Sequence, residues 1–244
     1  MRILLTLLAS CVLATAAPFG FNANQMVART NLVGWWTMNS TNLDGTVSDS
    51  SGGGKSGVIT GTPVWSGGVV AGALFGDGTN NVLTVTNFTY NTSALSVFTW
   101  TKSTARGQNI LNCSIYGWTL QQAAIGWSAQ GYELGVVVSS AASPSSGVTK
   151  IYWTSGVNIA DGKWHIVGFT FSTNVLILYV DGTARGVIKV WDGTVNAINQ
   201  SPVNVLDFVN ADDDVRIFNR ALTAAEVASM CYTTNGVTYP VPGK

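Results

Sequence analysis

Residues 164–190 read WHIVGFTFSTNVLILYVDGTARGVIKV. In the first third of this stretch Val167, Phe169 and Phe171 are larger and more apolar than the interleaved Gly168 and Thr170. That alternation has the period of two of a strand with one face on a core. A second apolar run, Val175 to Val180, is followed by Asp181-Gly182, and the apolar character resumes at Gly186-Val187. Asp-Gly supplies the positive φ angles of a tight two-residue turn, so an antiparallel hairpin is expected here.

The same texture extends in both directions. Leu32–Met38, Val82–Val85, Leu95–Thr101, Glu133–Ser139, Lys150–Trp153, Val187–Trp191 and Val215–Phe218 are short β-branched or aromatic runs bounded by Gly, Asn, Ser and Asp clusters. One helix is expected near the C-terminus. Thr223-Ala224-Ala225-Glu226 has the spacing of a capping box, and the following Val227, Ala228 and Met230 suit a short helix ending near Cys231. No composition break divides the chain and no internal repeat is present. Many short strands with one terminal helix indicate an all-β, two-sheet antiparallel sandwich.

Composition narrows the function. Of 244 residues, 46% are hydrophobic and only 10% charged, and 12 Lys plus Arg balance 12 Asp plus Glu. Nucleic-acid binding needs a basic stripe to displace phosphate counterions, so no nucleic acid partner is expected. The 9 Trp, 9 Phe and 7 Tyr can fill a large core, which excludes a disordered chain.

Residues 1–16 have the order of a signal peptide: Arg2, the apolar Ile3 to Leu13, then Ala14-Thr15-Ala16 before Ala17. The chain is therefore expected to be secreted or extracellular, with a lead-in over 17–31 and the domain over 32–244. Leu8-Ala9-Ser10-Cys11 also reads as a lipobox, a second route to the cell surface through Cys11. No later segment has the length of a transmembrane span. Cys113 and Cys231 remain after cleavage; an even count in an exported chain permits one disulfide, and two small buried thiols are the alternative.

At this point six ordered blocks resemble a known family. They are Leu32-Val33-Gly34-Trp35-Trp36-Thr37-Met38, Asp49-Ser50-Ser51-Gly52, Gly72-Ala73-Leu74-Phe75 with Asp77-Gly78, Trp164-His165-Ile166-Val167, Leu178-Tyr179-Val180-Asp181-Gly182, and Asp213 to Leu222. Together they resemble the laminin-G-like, concanavalin A-like jelly-roll domains, from about Leu32 to Met230. The resemblance implies a jelly-roll sandwich. It does not imply one activity, because such folds carry lectins, glycosidases and adhesion modules.

The residues themselves argue against catalysis. Glycoside hydrolysis uses two carboxylates flanking one bond. The chain has two Glu, and Glu226 is taken by the helix cap, leaving Glu133 alone. His165 is the one His, and no G-x-S-x-G motif offers it a nucleophile. The resembled family often places a hard cation near the loop after its first strand and the closing strand, which implies a structural calcium held by Asp49, Asp213 and Asp214. A solvated acidic turn over 212–214 is the alternative.

Aromatic residues give the positive lead. Trp118, Trp127, Trp153, Trp191, Tyr116 and Tyr132 fall outside the positions the family uses for its core. An exposed ring stacks on the apolar face of a sugar while nearby amides such as Asn109, Asn112, Gln121 and Gln122 bond its hydroxyls. Packing inside the sandwich is the competing role. The expected function is a secreted, non-catalytic, lectin-like module for a glycan or surface polysaccharide. The alternative is a structural or adhesion protein of a cell surface, matrix or virion surface with protein partners.

Overall fold

The computed structural model describes residues 29–39, 41, 44–69, 71–76, 82–86, 88–90, 93–107, 109–112, 118–124, 128–139, 150–172, 175–189, 203–205, 210–234 and 237–240. The expected leader, Cys11 and residues 17–28 of the lead-in lie outside them. In chain order the strands are β1 (Leu32–Trp36), β2 (Thr46–Val47), β3 (Gly57–Thr60), β4 (Val64–Gly67), β5 (Gly72–Phe75), β6 (Val82–Val85), β7 (Ala94–Lys102), β8 (Asn109–Asn112) and β9 (Trp118–Ala124). They continue as β10 (Ser128–Ser139), β11 (Lys150–Asn158), β12 (Trp164–Ser172), β13 (Val175–Val180), β14 (Thr183–Lys189), β15 (Val203–Val205), β16 (Ala211–Phe218), β17 (Cys231–Thr234) and β18 (Val237–Pro240). A helix, α1 (Ala224–Ala228), separates β16 from β17.

Two eight-stranded antiparallel sheets form the body. The first runs β14-β13-β12-β7-β16-β5-β4, with β1 also paired to β16; the second runs β11-β10-β9-β8-β15-β6-β3-β2. The hairpin expected from the opening stretch is present. Asp181 and Gly182 adopt φ of +52° and +73°, the pair of positive angles a two-residue turn requires. Strand β14 begins at once after this turn, four residues before the apolar run at Val187, because Thr183 and Ala184 already pair with Val180 and Tyr179, and pairing resumes at Gly186 after a register shift.

The alternation read from β12 is real in three dimensions. Val167, Phe169 and Phe171 enter the core between the sheets, beside Val97, Leu95, Leu178 and Trp36. The other face of the first sheet is also covered. Phe98, Trp100, Ile166, Tyr179 and Phe218 form a second cluster with Leu222, Val227, Met230 and Cys231 from the helix and its flanks. Burial on both sides explains why all eight residues of β16 are buried.

Strand β16 has two successive partners on one side. Ala211 and Asp212 pair with Phe75 and Leu74 of β5, whereas Val215 to Phe218 pair with β1. Between them the register against β7 shifts, and Asp214 takes φ of +53°. The acidic run therefore lies at a seam where one neighbouring strand gives way to another.

Candidate functional site

Cross-strand partners share a face of a sheet. In the second sheet one row of partners is Thr46, Val58, Thr84, Asn204, Asn112, Thr119, Val137 and Tyr152, crossing all eight strands. Val58 is 50% exposed and Thr46, Thr84 and Asn112 are partly exposed, so this part of the row faces away from the core, whereas Val137 farther along it is buried at 8% exposure. The adjacent row is Ile59, Leu83, Val205, Leu111, Leu120, Val136 and Trp153. Its members Leu83, Leu111, Leu120 and Val136 are buried in the core. Two further outward rows follow: Asn109, Gln121, Gly135, Thr154; and Ala123, Glu133, Asn158. The outward register positions of this sheet thus mix Thr, Asn and Gln with Val58, Val137, Gly135 and Ala123. Its eight strands contain only two charged residues, Glu133 and Lys150.

The expected aromatic residues separate on this frame. Trp118 is 1% exposed and its ring meets Phe169 edge-on at 5.6 Å between centroids. It offers no face to a sugar, and its assignment to a binding site is corrected: it is a core residue. Trp153 stands opposite Val136, in the row whose described side chains are buried; its own side chain lies outside the described set. Tyr116, Trp127 and Trp191 lie outside the described residues. Tyr132, next to Glu133 in β10, is 45% exposed; alternation puts it on the side of Leu134 and not on that of Glu133.

Glu133 is the one acidic residue in the strands of this sheet, so a second carboxylate for glycoside hydrolysis is not in register with it. His165 serves structure. Its Nδ1 lies 2.9 Å from Asp181 Oδ2 and its Nε2 lies 3.0 Å from Asp161 Oδ1. Burial alone would lower its pKa, but the hydrogen bonds and charges of Asp181 and Asp161 raise it above 6.5. The His165 ring clasps the β13–β14 turn to the loop before β12.

The three aspartates expected to hold calcium do not fit a shared ion. Asp49 Oδ1 accepts the backbone N–H groups of Trp35 and Ser51 at 3.0 and 2.9 Å, and Oδ2 accepts that of Lys55 at 3.1 Å. Asp213 Oδ2 accepts the N–H of Val69 at 2.8 Å. Asp214 accepts the Trp35 indole N–H and is ion-paired with Arg216 at 2.6 Å. Donor protons point at the oxygens a cation would need, and Arg216 already supplies positive charge. Among the described residues no three His, Cys, Asp or Glu side chains converge on one point. The expected metal role of Asp49, Asp213 and Asp214 is therefore replaced by loop closure and seam closure.

Cys231 is buried beside Gly182, in the cluster outside the first sheet. Cys113 lies outside the described residues, and with it the expected bridge. No helix among the described residues is long and apolar enough to cross a membrane.

Comparison with known proteins agrees with this architecture. A family model described as the concanavalin A-like lectin/glucanases superfamily matches residues 77–228. The chain belongs to that superfamily. None of the curated proteins matches the sequence. Among solved structures, the binding domain of Paraclostridial mosquitocidal protein 1 superposes with a TM-score of 0.67 at 15% identity, covering 82% of this chain and 52% of that one. A structure reporting that cell entry of botulinum neurotoxin type C depends on two ganglioside molecules gives 0.60 at 19%, covering 83% and 51%. The binding domain of botulinum neurotoxin DC in complex with rat synaptotagmin II gives 0.58 at 16%, covering 81% and 50%. These likenesses are of fold. The superfamily member described here spans about half the length of each of those chains.

Proposed function

We propose that this chain is an exported, non-catalytic carbohydrate-binding module whose ligand lies across the outer face of the second sheet. The observation that carries this reading is the outward row from Thr46 to Tyr152, rich in Thr and Asn. Seven inter-strand gaps of about 4.8 Å make it roughly 34 Å long, enough for an oligosaccharide rather than a single sugar. Amides and hydroxyls suit sugar hydroxyls. Two opposite charges among all these strands favour a neutral glycan over a polyanion. The superfamily and the toxin binding domains that share the fold support a binding role, and the glycan and protein ligands named for those domains belong to chains twice as long. Export rests on the leader sequence.

The test is a glycan array containing neutral and anionic structures, read together with reducing-end release from each bound ligand. Binding to neutral oligosaccharides without hydrolysis is expected. Hydrolysis of a bound ligand would refute the non-catalytic half. A blank array would refute the glycan half and favour a protein-binding surface module.

A further inference from the structure

One carboxylate on the outer face of the second sheet is not used by the fold. Leu134, Val136 and Val138 of β10 lie in the core between the sheets, so alternation turns Glu133 outward. On β11 and just after it, Val157 and Ile159 face the same core, which turns Asn158 outward as well. Glu133 and Asn158 are cross-strand partners, and Ala123 of β9 is the partner of Glu133 on its other side. Glu133 is half-buried and Asn158 is exposed.

The backbone beside this pair is reshaped. Gly135 pairs with Thr154 and Glu133 with Asn158, so on this side Leu134 alone stands against Ser155, Gly156 and Val157. Gly156 takes φ of +68°, and Ser155 Oγ accepts the Val157 N–H at 3.1 Å. A bulge of this kind bends its strand and re-aims the side chains beside it. Asn158 Oδ1 accepts the Ala160 N–H at 2.8 Å. What Asn158 offers outward is therefore the N–H donors of its amide.

Carboxylates elsewhere have structural partners. Asp49 closes its loop, Asp161 and Asp181 hold His165, Asp214 holds Arg216, and Glu226 caps α1. Glu133 Oε2 is shielded from solvent and has no hydrogen-bond partner among the described residues. Leaving such an oxygen without a donor is costly. Because the residue is half-buried, rotation about its side-chain bonds brings that oxygen to the surface, where a ligand hydroxyl supplies the donor. An outward carboxylate beside an outward amide is an acceptor next to a donor. Two adjacent hydroxyls of a sugar ring are the complement, one donating to the carboxylate and the other accepting from the amide.

The geometry points to Glu133 and Asn158 as the specificity-determining pair of the glycan face, taking a neutral sugar through two adjacent free hydroxyls. This inference rests on the glycan reading above and adds which groups of the sugar are read. The bond to Glu133 is charge-assisted, the stronger kind. The same negative charge repels a carboxylate or sulfate on the ligand, so one side chain attracts the right sugar and rejects the wrong one. Lys150, the other charged residue in the strands of this sheet, stands at the far end of β11.

The experiment is calorimetric titration of the full chain with the neutral oligosaccharide that binds most strongly on the array. Its single-deoxy derivatives and its uronic acid derivative are titrated alongside. With wild type, one deoxy derivative should lose about tenfold to a hundredfold in affinity, and the uronic acid should bind more weakly than the parent. Glu133→Gln should lose a similar factor toward the parent, become insensitive to that deoxy position, and narrow the gap between neutral and acidic ligand. Asn158→Ala should become insensitive to the neighbouring deoxy position. If Glu133→Gln does not fold, Glu133→Asp and Asn158→Ala carry the same comparison. Wild-type affinity and an unchanged neutral-to-acidic ratio in Glu133→Gln would overturn this pair and leave the glycan face standing. Absence of any glycan binding by wild type would overturn both.

Discussion

Trp118 shows how a single residue's role depends on its neighbours two positions away. As an isolated Trp outside the family's core positions it reads as a sugar-stacking ring. In its strand, Trp118 and Leu120 alternate with Thr119 and Gln121, and that period of two already placed the indole on the side of a leucine. Trp118→Ala should therefore cost about 3 to 5 kcal/mol in urea unfolding, as expected for a buried aromatic. The acidic run teaches the same lesson. Three adjacent carboxylates look like one cluster, yet strand alternation sends Asp212 inward, Asp213 to the other face and Asp214 into the bend. Asp212 makes the protein less stable as pH rises. Its folded pKa of about 8 lies above the unfolded value of 3.8, so the stabilising proton is fully held below that lower value and is lost on the way to 8. Asp212→Asn should flatten this fall. Unfolding free energies measured at several pH values check it; an unchanged slope would show that Asp212 does not carry the effect.

At the scale of elements, the helix was fully legible because its start signal is local. Thr223 Oγ1 accepts the Glu226 N–H, and Glu226 returns a bond to the Thr223 N–H at 2.8 Å. What the sequence hid is the Arg220 guanidinium gripping both Glu226 oxygens at 2.8 and 2.7 Å. Arg220, with the Thr223 bonds, holds Glu226 near 2, below its ordinary 4.5. Its contribution is present above pH 4.5 and disappears as pH falls toward 2. Glu226→Gln should cost about 1 to 3 kcal/mol at neutral pH and much less near pH 3, read by chemical denaturation. The His165 clasp has the opposite sign: stability is present below 6.5 and lost as pH rises through its raised value. His165→Gln should remove that component. Strands β2, β3, β4, β8, β15, β17 and β18 went unread because two to four residues carry too little period to be seen against loops, and the seven-residue β9 went unread because its Trp reads as a ligand contact.

At the scale of the molecule, the sandwich was legible because its six blocks each encode local structure in the right order. The candidate binding face was not legible. Thr46, Thr84, Asn112 and Asn204 share one row only through strand pairing, and nothing local marks any of them as belonging with the others. The sequence drew attention to Trp residues, whereas the exposed side chains described in the outward row are Thr46, Val58, Thr84 and Asn112. The most direct measurement is the affinity of the strongest array glycan for Asn112→Lys, a long charged side chain placed mid-row. It is compared with wild type and with Val64→Lys, at a 57% exposed position on the edge of the other sheet. Loss of binding in Asn112→Lys, with wild-type affinity in Val64→Lys and equal thermal stability in all three, is the expected result. Wild-type affinity in Asn112→Lys would contradict the placement of the glycan on this face.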